Sequence, residues 1–154
     1  MDKNSAFVKG TVRFAVVLAV LLIVLGCRFW TTLPDIYEER ISALAAAGKP
    51  EAAIEKYDRM KVVIAERIDD ETKDSCEYAI AQGYLIAGDY EQAQFMFAAL
   101  GDFRDSAQMV KECIYLPAQQ LFEEGKYDEA AEIFRSLGLY SDSAKTIYNE
   151  VKDL

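Results

Sequence analysis

The side chains equipped for chemistry are few and badly placed for it. The 154 residues contain no histidine, which removes the commonest general base and the commonest metal ligand. Carboxylates are plentiful, 26 against 17 lysines and arginines, but they come as contiguous runs such as Asp69-Asp70-Glu71 and Glu123-Glu124. A carboxyl group acts as general acid or base when an apolar pocket shifts its pKa. Runs of this kind belong instead to solvated faces and helix caps, and Asp58-Arg59 and Glu129 with Glu132 read the same way. No Gly-rich phosphate loop opens a helix. Cys27, Cys76 and Cys113 have no zinc-ligand spacing. We expect no enzymatic activity, no cofactor and no metal.

The segment ahead of these residues sets where they work. Over 14–27 no side chain is charged or strongly polar, unlike the striped surface helix of a soluble domain. A membrane span needs about 20 residues; Arg13 and Arg28 can carry their charges outward on apolar stems, which extends the anchor to 12–33 behind a short segment, 1–11. Phe29 and Trp30 suit the aromatic belt of a membrane interface. Before Pro34 four cations face Asp2 alone, +3, so the rest of the chain carries −12 of a total of −9. By the positive-inside rule Lys3, Lys9 and Arg13 keep the N-terminus in the cytoplasm, and 34–154 lies on the extracytoplasmic side. An acidic domain repels phosphate backbones, so nucleic acid is not expected and a basic or neutral protein or peptide is.

A second reading of the anchor stays open. Val24-Leu25-Gly26-Cys27 resembles the lipobox of bacterial lipoproteins, which implies lipidation at Cys27 and an envelope-maintenance role. Leu25 stands where a small residue is usual, and Arg28-Phe29-Trp30 looks more like a membrane exit than a lipidated N-terminus. Both readings leave the domain tethered outside.

Beyond the anchor the chain repeats itself. Gly88-Asp89-Tyr90-Glu91-Gln92-Ala93 returns as Gly125-Lys126-Tyr127-Asp128-Glu129-Ala130, 37 residues on. Leu100-Gly101-Asp102-Phe103-Arg104-Asp105-Ser106-Ala107 returns as Leu137-Gly138-Leu139-Tyr140-Ser141-Asp142-Ser143-Ala144 at the same offset. Two blocks at one offset indicate a true internal repeat. Gly48-Lys49-Pro50-Glu51-Ala52-Ala53 is a weaker, earlier copy. Units of 34–70, 71–107 and 108–154 follow, the last ending in a capping helix. Glycines 48, 88 and 125 stand where left-handed C-caps end a helix, and Asp102 or Asp105, then Ser141 or Asp142, are candidate N-caps. Helices are expected over 34–47, 50–68, 71–87, 89–99, 105–124, 126–136 and 142–152, the fifth kinked at Pro117. Cys76 and Cys113 sit one unit apart; packed helices stand about 8–10 Å apart, beyond the ~7 Å a disulfide allows, so both should be buried free thiols.

The series Ala81, Tyr84, Gly88, Tyr90, Ala93, Phe97, Leu100, repeated as Ala118, Leu121, Gly125, Tyr127, Ala130, Phe134, Leu137, resembles the tetratricopeptide repeat. The offset of 37 departs from that family's usual spacing of about 34, and the added Leu-Gly…Asp-Ser-Ala block is similar to a variant of bacterial single-pass membrane proteins. The resemblance implies an all-α fold, a short tetratricopeptide-like α-solenoid of antiparallel helix pairs behind one transmembrane helix. It also implies a ligand face on the first helix of each pair: Asp35, Glu38 and Ser42; then Ser75, Tyr78, Gln82 and Leu85; then Glu112, Tyr115, Gln119 and Phe122. Amides and rings so placed can hold an extended peptide. The same positions also serve plain core packing. The expected function is a scaffold or adaptor for protein–protein interaction, with a structural subunit of a membrane complex as the alternative.

Overall fold

The computed structural model describes residues 3–138, with side chains from Ala15 onward; the expected capping helix over 142–152 lies outside the described residues. All regular structure among them is helical.

The first helix, α1, spans Lys3–Ala46. An anchor ending at 33 and a fresh helix from Pro34 were expected; the two are one helix of 44 residues, roughly 66 Å long. Pro34 lacks the N–H that would bond the carbonyl of Trp30 and crowds that turn. Neighbouring hydroxyls bond the adjacent carbonyls: Thr31 Oγ1 donates to the Arg28 oxygen at 2.8 Å, and Thr32 Oγ1 to the oxygens of Arg28 and Phe29 at 3.2 and 3.1 Å. Every side chain over 15–32 is exposed, and Ala15–Ala46 is long and apolar enough to cross a membrane. The far end of the same helix buries Ile41 and Ala45 completely or nearly so.

Helix α2, Pro50–Ile64, opens on proline, whose fixed φ suits a first helical turn. It stops four residues short of the expected end and tightens into a 3-10 turn, Ala65–Arg67. Helix α3, Asp70–Ala87, starts where the Asp69 carboxylate accepts the Thr72 N–H at 2.8 Å; α4, Tyr90–Leu100, starts where Asp89 accepts from Gln92 at 3.1 Å. Helix α5, Ser106–Glu123, continues through Pro117, and α6, Tyr127–Leu137, completes the described set. Gly88 at φ 81° and Gly125 at φ 79° take the left-handed cap, a conformation in which a Cβ is costly. Behind Gly88 the Asp89 N–H returns to the Tyr84 carbonyl at 2.9 Å, and the Lys126 N–H does the same to Leu121.

The hairpins α1–α2, α3–α4 and α5–α6 enclose three successive clusters, around Ile41, Met60 and Ile80, around Phe97 and Cys113, and around Phe134. The equivalent ring pairs match: Tyr78 to Phe97 at 5.5 Å and Tyr115 to Phe134 at 5.4 Å between centroids. The two junctions between hairpins do not match. Helix α3 packs chiefly on α1, whereas α5 packs on α4. The first junction depends on Gly83: a Cβ there would lie 3.0 Å from the Ala45 Cα and 3.2 Å from its Cβ. Glycine inside a helix costs about 1 kcal/mol against alanine, and close helix contact outweighs it here.

Gly83→Ala should therefore destabilise the domain, since overpacking costs about 1–3 kcal/mol against a propensity gain of under about 1 kcal/mol; a lowered urea midpoint by circular dichroism in detergent checks this. In the same assay, Phe97→Ala at a fully buried ring should cost about 3–5 kcal/mol. Phe95→Ala, two residues away and 71% exposed, should stay within about 0.5 kcal/mol.

Candidate functional site

The positions implied by the repeat resemblance divide into two groups. Tyr78 and Tyr115 are interior, 6% and 9% exposed, and their rings fill the hairpin cores. Gln82 is exposed, while Glu38, Leu85, Gln119 and Phe122 are half-buried. Asp35 and Ser42 face solvent, Glu112 is half-buried and Ser75 is buried. The rings thus stand behind the face, and the amides stand on it.

Helix α3 gathers one polar constellation around Tyr78. Its hydroxyl donates to the Asp105 carboxylate and accepts from Gln82 Nε2 at 3.1 Å. Arg104 covers the ring, its guanidinium 5.1 Å from the centroid and 5.0 Å from that of Phe103. Its Nη2 also donates to Ser75 Oγ at 3.1 Å. Phe103 meets Tyr78 edge-on at 6.1 Å. Phe103, Arg104 and Asp105 are thereby clamped onto α3. Asp105 stands at the start of α5 as expected of an N-cap, yet its side chain makes no cap hydrogen bond, because Tyr78 engages it.

One unit on, Gln119 Nε2 reaches Glu123 at 3.4 Å and Phe122 meets Tyr127 edge-on at 5.1 Å. Gln120 Nε2 donates to the Tyr90 hydroxyl at 2.9 Å, joining α5 to α4. On the first unit the Tyr57 hydroxyl donates to Glu77 at 2.8 Å, joining α2 to α3.

Residue patterns left two features unread. The clamp of Phe103, Arg104 and Asp105 had a signal, the repeated Leu-Gly…Asp-Ser block that exceeds the family pattern. A groove of about 530 Å³ between α1 and α2, lined by Arg40, Leu44, Ala52, Glu55, Lys56 and Arg59, is locally basic within an acidic domain. Its charges are partly engaged: Arg59 pairs with Glu55 at 2.9 Å, and Lys56 lies 5.6 Å from the Tyr37 ring centroid.

The shifted thiols and phenols are held neutral. Burial, then Glu38 and Glu77 nearby, push the Cys76 thiol up to about 12; burial and Glu112 push Cys113 up to about 11. Burial and the bond to Asp105 push Tyr78 up to about 12, and burial followed by Glu77 raises Tyr57. Both thiols are buried and unpaired with each other, as the repeat spacing predicted, and Cys27 is exposed. Among the described residues no cluster of His, Cys, Asp or Glu is arranged to hold a metal ion. No family model, curated protein or solved structure matches this chain.

Two measurements test the site. A buried thiol whose folded pKa lies above the ordinary 9.0 gives stability that is complete below pH 9. That stability is lost as pH rises through the folded values, because the unfolded chain releases the proton first. Urea midpoints should be level from pH 7 to 8 and fall above 9, more steeply above 10 where the tyrosines join. At neutral pH, Tyr78→Phe should cost about 1.5–3 kcal/mol, the worth of a hydrogen bond to a charged group. Tyr78→Ala, which empties the core site, should cost about 3–5 kcal/mol.

Proposed function

We propose that this chain is a membrane-anchored helical-repeat adaptor. Helix α1 crosses the bilayer with its N-terminus in the cytoplasm. The tetratricopeptide-like hairpins on the extracytoplasmic side hold a protein or peptide through the face of Glu38, Gln82, Leu85, Gln119 and Phe122. The observation that carries this reading is the single helix whose one end is exposed and apolar over 15–32 and whose other end is sealed into the first core at Ile41 and Ala45. An exposed apolar rod of that length is costly in water and stable in lipid.

The adaptor role draws on the repeat. Gln82 and Gln119 hold equivalent repeat positions, 37 residues apart, each three residues before the half-buried Leu85 or Phe122. Amides with adjacent apolar surface suit an extended segment whose backbone needs hydrogen bonds. A charge of −12 beyond the anchor favours a basic or neutral partner by long-range attraction. The strongly shifted groups are driven towards neutrality by burial, the behaviour of core residues and not of activated nucleophiles. Lipidation at Cys27, the alternative, would cut the continuous α1 in its apolar part.

A photo-crosslinking residue placed at Gln82 or Gln119 in native membranes should give the same discrete adduct. The same residue at Glu91, exposed on α4, should not. Adducts from Glu91 alone, or none from either glutamine, would remove this face as the docking site. Labelled acyl chains retained by the wild type and absent from Cys27→Ser would replace the span with a lipid anchor.

A further inference from the structure

We infer that the corner formed by the last turn of α2 and the 3-10 turn after it is a membrane-contact surface, seated at the boundary between lipid headgroups and acyl chains beside Trp30. The inference rests on the reading of α1 as a membrane span and extends it from the anchor to the repeat domain.

The height of the corner follows from helix geometry. From Trp30 to Ala46 α1 rises about 24 Å, and α2, folded back along it from Pro50 to Ile64, descends about 21 Å. The end of α2 is therefore returned to the level of Trp30. The contacts agree: the Arg67 guanidinium lies 5.8 Å from the Trp30 ring centroid. A notch of about 350 Å³ opens between Trp30 on one side and Val62, Val63, Glu66 and Arg67 on the other.

The surface chemistry is that of an interface. Val62 is 85% exposed and Val63 48%, next to Trp30 at 48%. Single exposed apolar side chains are ordinary on any protein. Here two valines and an indole line one notch, and Phe29, 60% exposed, extends the patch into the apolar surface of α1. That continuity selects lipid as the occupant: the rod that must be covered by acyl chains runs directly into the patch. Indole rings favour the headgroup level, and arginine lays its apolar stem along such a surface with its charge at the phosphates. Apolar side chains of surface-bound elements enter the boundary by about 5–10 Å. Seated this way, the corner gives the domain a second point of attachment and fixes its rotation about α1.

The chain has one tryptophan, so its fluorescence reports one place. Wild-type protein is reconstituted in phosphatidylcholine vesicles with and without brominated acyl chains, beside Trp30→Phe/Val62→Trp and Trp30→Phe/Phe95→Trp. Phenylalanine keeps a ring beneath Arg67, and both new indoles occupy exposed positions where they displace nothing. The expected result is blue-shifted, bromine-quenched emission from position 62, at least half as strongly quenched as Trp30 in the wild type, with water-like, unquenched emission from position 95. Trp30 quenched and position 62 unquenched would overturn the inference and leave the anchor standing; red emission would then place the corner in water, and blue emission would place it under protein. Quenching at neither position would overturn the inference and the anchor together.

Discussion

The close approach of α1 and α3 at Ala45 and Gly83 is the contact on which the rest of the molecule depends. The missing side chain at 83 lets the two helices meet at backbone distance, and this brings Ile41, Ala45, Cys76 and Ile80 into one buried cluster with Tyr57 and Met60 of α2. Without it the first hairpin would hold the second only through the smaller contact of α2 with α3. Helix α3 is in turn the platform for the next two helices: α4 folds back on it, and the segment before α5 is clamped across it. A loss at the first junction therefore reaches the second through α3, as expected where each repeat is stabilised by its neighbours.

The second junction is built from polar groups around one phenol. Arg104 holds a positive φ of 51°, which a non-glycine residue adopts at a cost. Its guanidinium recovers that cost by covering two rings and bonding Ser75. Asp105 gives up its capping bond to accept from Tyr78. Ser106 is buried and donates to the Phe103 carbonyl at 2.6 Å. These residues are consumed in attaching one unit to the next. The Tyr78 hydroxyl is therefore occupied within the protein, between Asp105 and Gln82.

Much of this was legible in the residues. The offset of 37 located the hairpins, the glycines at 88 and 125 marked their turns, and the equivalence of Cys76 and Cys113 anticipated two buried, unlinked thiols. Other features arise from contacts that no local rule contains. Residues before proline favour extended backbone, which places a boundary at Pro34, yet α1 runs through it to Ala46. Gly83 has no sequence mark that separates a close approach from a weak helical position. The side on which Tyr78 points depended on uniform stacking, and the first junction is made through α1 while the second is made through α4. A periodic sequence gives the period of the units but not the pair of helices that joins them.

Continuity of α1 also bears on how an adaptor of this kind would act. A flexible linker lets a domain sweep a volume that grows with linker length and dilutes it at any one place. In the proposed membrane setting, a helix rising about 24 Å from Trp30 to Ala46 would hold its hairpins at nearly constant height. For the proposed adaptor, partners within that narrow layer would meet the face of Gln82 and Gln119 at high effective concentration, and partners outside it would not. Selection by height would cost no binding energy at the face itself, so in the proposed adaptor a modest contact would be enough for a membrane-bound partner.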